Sequence, residues 1–173
     1  MTTVLKFGGT SVATPDALER VCRIVRGADA PVVVVSATAG TTNALIATAR
    51  AAASGDVVTA ETMMARLVSS HDDLLRKAAR KDTADAGGAL GELAQRTKAL
   101  VRSVAILHEC SARSQDAIVS YGELASAEIV AAALRSHGLD AQAVPATRIL
   151  VPAAAFGNAA PPFEEPHARA RDL

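Results

Sequence analysis

A chain of 173 residues is the length of a single domain, and with half of its residues hydrophobic it has the material for a sizeable core. Its 18 basic and 18 acidic residues cancel, so the charge balance carries no footprint for nucleic acid or an anionic membrane surface. Aromatic residues are 2% and tryptophan is absent, which removes the stacking platforms on which single-stranded nucleic acids bind.

The first element is a strand over 3–7. Thr14 and Pro15 then supply an N-cap and a first-turn proline, and Leu18, Val21, Cys22 and Val25 recur at helical spacing, which predicts an amphipathic helix over 15–26 ended by Gly27. PVVVVSA (31–37) is a continuous β-branched run and reads as a parallel strand buried on both faces. Strand, helix and strand make a βαβ unit with a right-handed crossover. ATAGTTN (37–43) reads as a loop of small residues, followed by a helix over 44–53. Two long apolar stripes, Met64 to Ala78 and Leu90 to Val104, predict a helical hairpin over 60–107 that stands outside the sheet, with a charged turn over 80–87 and Gly87-Gly88. A short helical turn is expected at 115–119. A helix over 122–136 follows, with Leu124, Ala127, Ala131 and Leu134 inward and Gly138 as its stop. Short strands are expected at 141–144 and 149–151, FGN (156–158) reads as a turn, and Pro161, Pro162 and Pro166 break regular structure in the tail.

Cys22 falls on an apolar helix face and reads as core, Cys110 is a weak candidate for a reactive thiol, and no spacing suggests a disulfide framework. The N-terminus lacks the layout of a secretory signal, and no apolar run approaches the ~20 residues of a membrane-spanning helix, so a soluble, cytoplasmic protein is expected.

Three stretches can carry chemistry. In KFGGTS (6–11), Lys6 lies near the end of a strand, where open α/β sheets bind ligands, and Gly8 and Gly9 allow close backbone approach and an anion nest. A lysine there suits a phosphoryl group, although the same residues also fit a plain strand-to-loop turn with a snorkelling lysine. At the end of the second strand, Ser36, Thr38, Thr41 and Thr42 crowd hydroxyls into one loop, suited either to a small polar substrate or to capping the next helix. In SYGELAS (120–126), Ser120 and Glu123 have the spacing of a capping box, the reading that spacing alone favours, and the sharper reading makes Glu123 a carboxylate placed for a substrate ammonium. His71, on an apolar stripe, reads as a packed core residue, and His108 with Cys110 makes at most a weak metal pair, so no metal ligands are assigned.

Together these stretches resemble the aspartate kinases of the amino-acid kinase superfamily. KFGGTSV (6–12) is similar to that family's N-terminal signature, VVVSATAGTTNAL (33–45) to its second segment, and RSQDAIVSYGELASAEIVAAAL (113–134) to the region with a Ser-x-Gly-Glu-x-x-Ser pattern; GLDAQAV and FGNA (156–159) follow in the same order. The resemblance implies an α/β three-layer sandwich with a mostly parallel sheet, here incomplete and with a helical hairpin insertion. It implies transfer of the ATP γ-phosphate, with Mg2+, to the side-chain carboxylate of L-aspartate, opening lysine, threonine and methionine biosynthesis. By the same resemblance Lys6 stabilises the transferred phosphoryl group, Gly8 and Gly9 line the phosphate site, and Thr10 and Ser11 shape the first loop. Ser36 and Thr42 lie at the aspartate and phosphate pocket, and Glu123 binds the substrate amino group.

The family's later glycine-rich segment and its catalytic aspartate have no counterpart before Leu173, and neither do its ACT domains. The 173 residues therefore look like the amino-terminal, substrate-binding part of such a kinase, inactive alone, without its nucleotide-binding half. A related kinase acting on glutamate, carbamate or a nucleotide is a second reading. A non-catalytic fragment that pairs with a partner chain, or with itself, through an exposed sheet edge and apolar surface is a third.

Overall fold

The computed structural model describes residues 1–79 and 83–149 of the chain. The tail and the FGN turn lie outside the described residues, as does the 149–151 strand apart from Ile149.

The chain opens with a βαβ unit. Strand β1 (Thr3–Phe7) pairs in parallel with β2 (Pro31–Val35), in a register that sets Leu5 opposite Val33 and Phe7 opposite Val35. Helix α1 (Pro15–Arg26) connects them. Its start is fixed as its sequence dictates: Ala17 N–H donates to the Thr14 hydroxyl at 3.2 Å, and Pro15 supplies a preset φ. Leu18, Val21, Cys22 and Val25 form its buried stripe.

A helical layer follows. Helix α2 is Thr41–Ala53, α3 is Val57–Ala78, α4 is Ala84–Leu107, α5 is Ala112–Val119 and α6 is Tyr121–Ser136. Helices α3 and α4 form the expected hairpin, and α6 packs on both of them as well as on α1 and β2. Leu5, Phe7, Val33 and Val35 turn the inner face of the sheet toward this core, where Leu18, Leu45, Met64, Leu90, Ile118 and Ile129 are fully buried. Each such side chain contributes roughly 1.5–3 kcal/mol by leaving water.

Several expectations need correction. The β2 valines are not buried on both faces: Val32 and Val34 are 50% and 45% exposed, and Val4 beside them is 66% exposed. Among the described residues the sheet has two strands and helices on one face only, so one face of a fully apolar strand stays open. Helix α2 starts at Thr41 rather than 44, because Gly40 takes φ +83° and turns the chain directly into the helix. Gly87 and Gly88 lie inside α4, where helix packing overrides their low propensity. Residues 141–144 form no strand, since β1 and β2 pair only with each other. Helix α5 is longer than the expected turn, because the Ser111 hydroxyl accepts from Ser114 N–H at 3.1 Å and starts it three residues earlier.

Helix α6 is also buried more fully than a single stripe, with Ala125, Ser126 and every residue from Ile129 to Leu134 buried. Being enclosed by neighbours on several sides, it needs small residues all round. Through Ser120, α5 and α6 run together over 25 residues, and a window of 18 within them has mean hydropathy 1.4, so the stretch is long and apolar enough to cross a membrane by length and composition. This revises the expectation that no such run exists. Most of the window, 61%, is buried within the fold, so the stretch serves as its central core helix.

Candidate functional site

The loops at the carboxyl ends of both strands meet each other and the start of α6. β1 leads through Gly8 into a single 3-10 turn, Gly9–Val12, closed by Ser11 N–H donating to Gly8 C=O at 2.9 Å. β2 leads through Ser36, whose N–H donates to Phe7 C=O at 3.2 Å and extends the ladder one step. Ala39 N–H then donates to Gly9 C=O, also at 3.2 Å, tying the second loop to the first.

Close approach is what these contacts demand of the sequence. A Cβ on Gly9 would lie 2.6 Å from the Ala37 carbonyl oxygen, a distance at which backbone has to move. Gly122 in the first turn of α6 meets the same loop from the other side, where a Cβ would lie 2.8 Å from Ala37 Cβ and 2.9 Å from Thr41 Cγ2. Gly8 differs: a Cβ there meets nothing within 4 Å, and its φ of −78° suits any residue. The space beside Gly8 is open to a ligand, while Gly9 serves the joining of the loops.

The residues singled out in the sequence fall around this junction. Lys6 and Thr10 are exposed, and Gly8, Gly9, Ser11, Ser36 and Thr42 are half-buried. Glu123 is exposed in the first turn of α6, directly after Gly122. The Glu123 carboxylate and the hydroxyls of Thr10, Ser11, Ser36 and Thr42 make no side-chain hydrogen bond among the described residues, so they are available to a ligand. Lys6 stands opposite Val34 on the open face of the sheet.

The capping box does not form. Ser120 has helical φ and ψ, its hydroxyl donates to Ala117 C=O at 2.8 Å, and its N–H is taken by Asp116 C=O. Because α5 runs almost straight into α6, that end has no orphan N–H at Ser120 for Glu123 to satisfy. The bland role for Glu123 is thereby removed.

Two of the loop hydroxyls turn inward, away from solvent. Thr41 Oγ1 is 2.6 Å from Thr38 Oγ1, which is 3.2 Å from Nε2 of the buried His71. Sequence reading placed His71 in the core but missed its polar partners; a histidine on an apolar stripe across from a Ser/Thr-rich loop was the available signal. Burial holds this imidazole below the ordinary histidine value of 6.5, against the opposing pull of the Leu67 carbonyl and Asp72. Burial pushes the Tyr121 phenol well above its ordinary range, with the Asp72 charge adding to the effect. Cys110 is half-buried, and burial raises its thiol, the opposite of an activated nucleophile.

Two grooves elsewhere are not lined by these residues. One of about 180 Å3 lies between Glu61, Met64, Lys98 and Arg102, and one of about 350 Å3 between Glu92, Arg96, Leu124 and Glu128.

Residues 1–170 match the Amino acid kinase family. Aspartokinase 3 and aspartokinase 1, both chloroplastic, of Arabidopsis thaliana are each 31% identical over 80% and 82% of this chain, which covers 24% and 25% of their lengths. The fold superposes on E. coli aspartokinase III with a TM-score of 0.86 and 27% identity, over 99% of this chain and 37% of that one. The same figures hold for that enzyme in complex with lysine and aspartate (T-state) and with aspartate and ADP (R-state). The chain thus spans about a quarter of the plant relatives and just over a third of the bacterial structure.

Proposed function

The chain belongs to the amino acid kinase family, and within it we propose that these residues form the amino-acid- and phosphate-facing part of an aspartate kinase. The reaction is attack by a side-chain carboxylate oxygen of L-aspartate on the γ-phosphorus of ATP. A new P–O bond forms, the bond to the bridging oxygen breaks, and 4-phospho-L-aspartate and ADP result. Its place as the opening step of lysine, threonine and methionine biosynthesis belongs to the same proposal. The observation that carries it is the meeting of Gly9, the 37–41 loop and Gly122, which gathers three separate chain segments at the carboxyl ends of two parallel strands.

Phosphoryl transfer asks for positioning and charge neutralisation more than for covalent chemistry. Lys6 supplies a positive charge to the transferred group, and the open backbone at Gly8 lets phosphate oxygens approach N–H groups. Thr10 and Ser11 shape that loop. Ser36 and Thr42 donate to substrate oxygens, and Glu123 accepts from the substrate ammonium. Magnesium is proposed to arrive with the ATP phosphates rather than in a cage of protein side chains, and among the described residues no three His, Cys, Asp or Glu side chains cluster. The nucleotide-binding half of the enzyme is proposed to lie in chain outside these residues, which cover 37% of the bacterial structure. A free carboxylate at Glu123 suits an amino acid with an ammonium group rather than carbamate or a nucleotide, and the likeness to aspartokinases favours L-aspartate over glutamate.

The test is binding of L-aspartate by the 173-residue chain in calorimetry, beside Glu123→Gln. Hydroxylamine-trapped acyl phosphate in an enzyme carrying the remaining segments completes it. Loss of aspartate affinity in the variant at unchanged melting temperature supports the reading; equal affinity for both proteins defeats it.

A second role is favoured by the open sheet face. Val4, Val32 and Val34 form an exposed apolar strip beside Lys6, of a kind that ordinarily meets another layer. Pairing through it, with the rest of a kinase or with a second copy, predicts concentration-dependent association in sedimentation, weakened by Val34→Thr.

A further inference from the structure

Below the 37–42 loop runs a buried polar chain that the roles above leave unused. His71 on α3 is 2% exposed. Its Nδ1 lies 2.9 Å from the Leu67 carbonyl oxygen, one turn back, and its Nε2 lies 3.2 Å from Thr38 Oγ1. Thr38 Oγ1 in turn lies 2.6 Å from Thr41 Oγ1. The ring also meets Tyr121 edge-on, with centroids 5.5 Å apart and planes at 89°. Tyr121 directly precedes Gly122 and Glu123, so one imidazole touches both the second loop and the start of α6.

The partners fix the direction of every hydrogen bond in the chain. A carbonyl oxygen only accepts, so Nδ1 carries the proton and donates to Leu67. In the neutral ring, which burial favours, Nε2 is then a bare acceptor and takes the Thr38 hydroxyl proton. Having donated its one proton, Thr38 accepts from Thr41. The order is Thr41 to Thr38 to His71; in the opposite ring tautomer Nε2–H would donate to Thr38 and leave the direction between the two hydroxyls unfixed.

We propose that His71 is a positioning residue for the candidate site: as the Nδ1–H tautomer it fixes the Thr38 and Thr41 hydroxyls and, with Tyr121, holds the 36–42 loop against the turn of α6 that carries Glu123. This rests on the aspartate-kinase reading. His71 is too deeply buried to touch substrate; it acts through the placement of Ser36, Thr42 and Glu123. The loop it holds is itself anchored to α3 by no other side-chain hydrogen bond among the described residues.

Two measurements on the 173-residue chain test it. Nitrogen-15 NMR of the histidines should show a protonated Nδ1 and an unprotonated, hydrogen-bonded Nε2 at His71; the opposite tautomer overturns the inference. Calorimetry with L-aspartate then compares wild type, His71→Leu, His71→Gln and Thr38→Val. The expectation is a roughly tenfold or greater loss of affinity in His71→Leu, and a comparable loss in Thr38→Val, which leaves α3 untouched should His71→Leu fail to fold. The double variant should lose no more than either single one, and His71→Gln, whose amide retains an acceptor for Thr38, should recover most of the affinity. Wild-type affinity in Thr38→Val, or additive losses in the double variant, overturns the inference while leaving the aspartate-kinase reading intact. Absence of aspartate binding by the wild type overturns that reading and the inference with it.

Discussion

Gly122 stands so close to Thr41 that a Cβ would lie 2.9 Å from Thr41 Cγ2, with Ala37 Cβ nearer still at 2.8 Å. A helix would ordinarily gain about 1 kcal/mol from alanine in place of glycine. At Gly122 overpacking of about 1–3 kcal/mol opposes that gain. Gly122→Ala is therefore expected to lower stability in urea unfolding and to weaken aspartate binding. Gly88→Ala in α4, where a Cβ meets nothing within 4 Å, should instead raise stability by roughly 0.5–1 kcal/mol. Equal behaviour of the two variants would contradict the close contact.

The adjacent glycines of the first loop should separate function from fold. Gly9→Ala pushes a Cβ to 2.6 Å from the Ala37 carbonyl oxygen and is expected to cost about 1–3 kcal/mol of stability. Gly8→Ala has open space and an ordinary φ, so the fold should hold or gain up to about 1 kcal/mol. If the space beside Gly8 receives phosphate, Gly8→Ala should still lower activity in an enzyme bearing the complete catalytic domain. Circular dichroism melts beside a kinase assay give both readings.

Lys6 is exposed and carries no part of the core, so Lys6→Met should change stability by no more than about 0.5 kcal/mol. In a complete enzyme its loss should cut kcat by about 100- to 1000-fold while the KM for aspartate moves little, because the charge is needed as the phosphoryl group transfers. Parallel losses in both constants would remove that role.

His71 should make the fold sensitive to mild acid. Burial lowers its folded-state value below the ordinary 6.5, more than the Leu67 carbonyl and Asp72 raise it, and Tyr121, its ring neighbour on α6, stays neutral in this range. The unfolded chain therefore binds the proton more readily than the folded one, and stability rises with pH across the interval between the two values. The contribution is complete above about 6.5 and is lost as pH falls below it. Thermal melts between pH 7.5 and 5.5 should fall more for wild type than for His71→Gln. A parallel fall would place the acid sensitivity in other groups.

How much of this was readable in the chain varies by element. Helix α1 was legible to the residue, since Thr14, Pro15 and Gly27 are local signals that act within a turn of themselves. The α3–α4 hairpin was legible from its apolar stripes, whereas the approach of 8–9, 37–41 and 122 to one another was not. The Ser120–Glu123 spacing misled, because whether a serine caps a helix depends on whether another helix already precedes it. The β2 valines misled too, since an apolar strand reads the same whether or not a second layer covers it.

The sequence by itself determined where the glycines, the lysine and the hydroxyls stand along the chain, because backbone freedom, charge and hydrogen-bonding capacity belong to single residues. Tertiary structure alone decided that Gly9, Ala37 and Gly122 touch. It also turned Thr38 and Thr41 inward to His71, 33 positions from Thr38 along the chain, rather than out to solvent. The reason is physical: steric contact and hydrogen-bond direction depend on distances between atoms that packing of the α2–α3–α6 core brings together, and no local pattern encodes them.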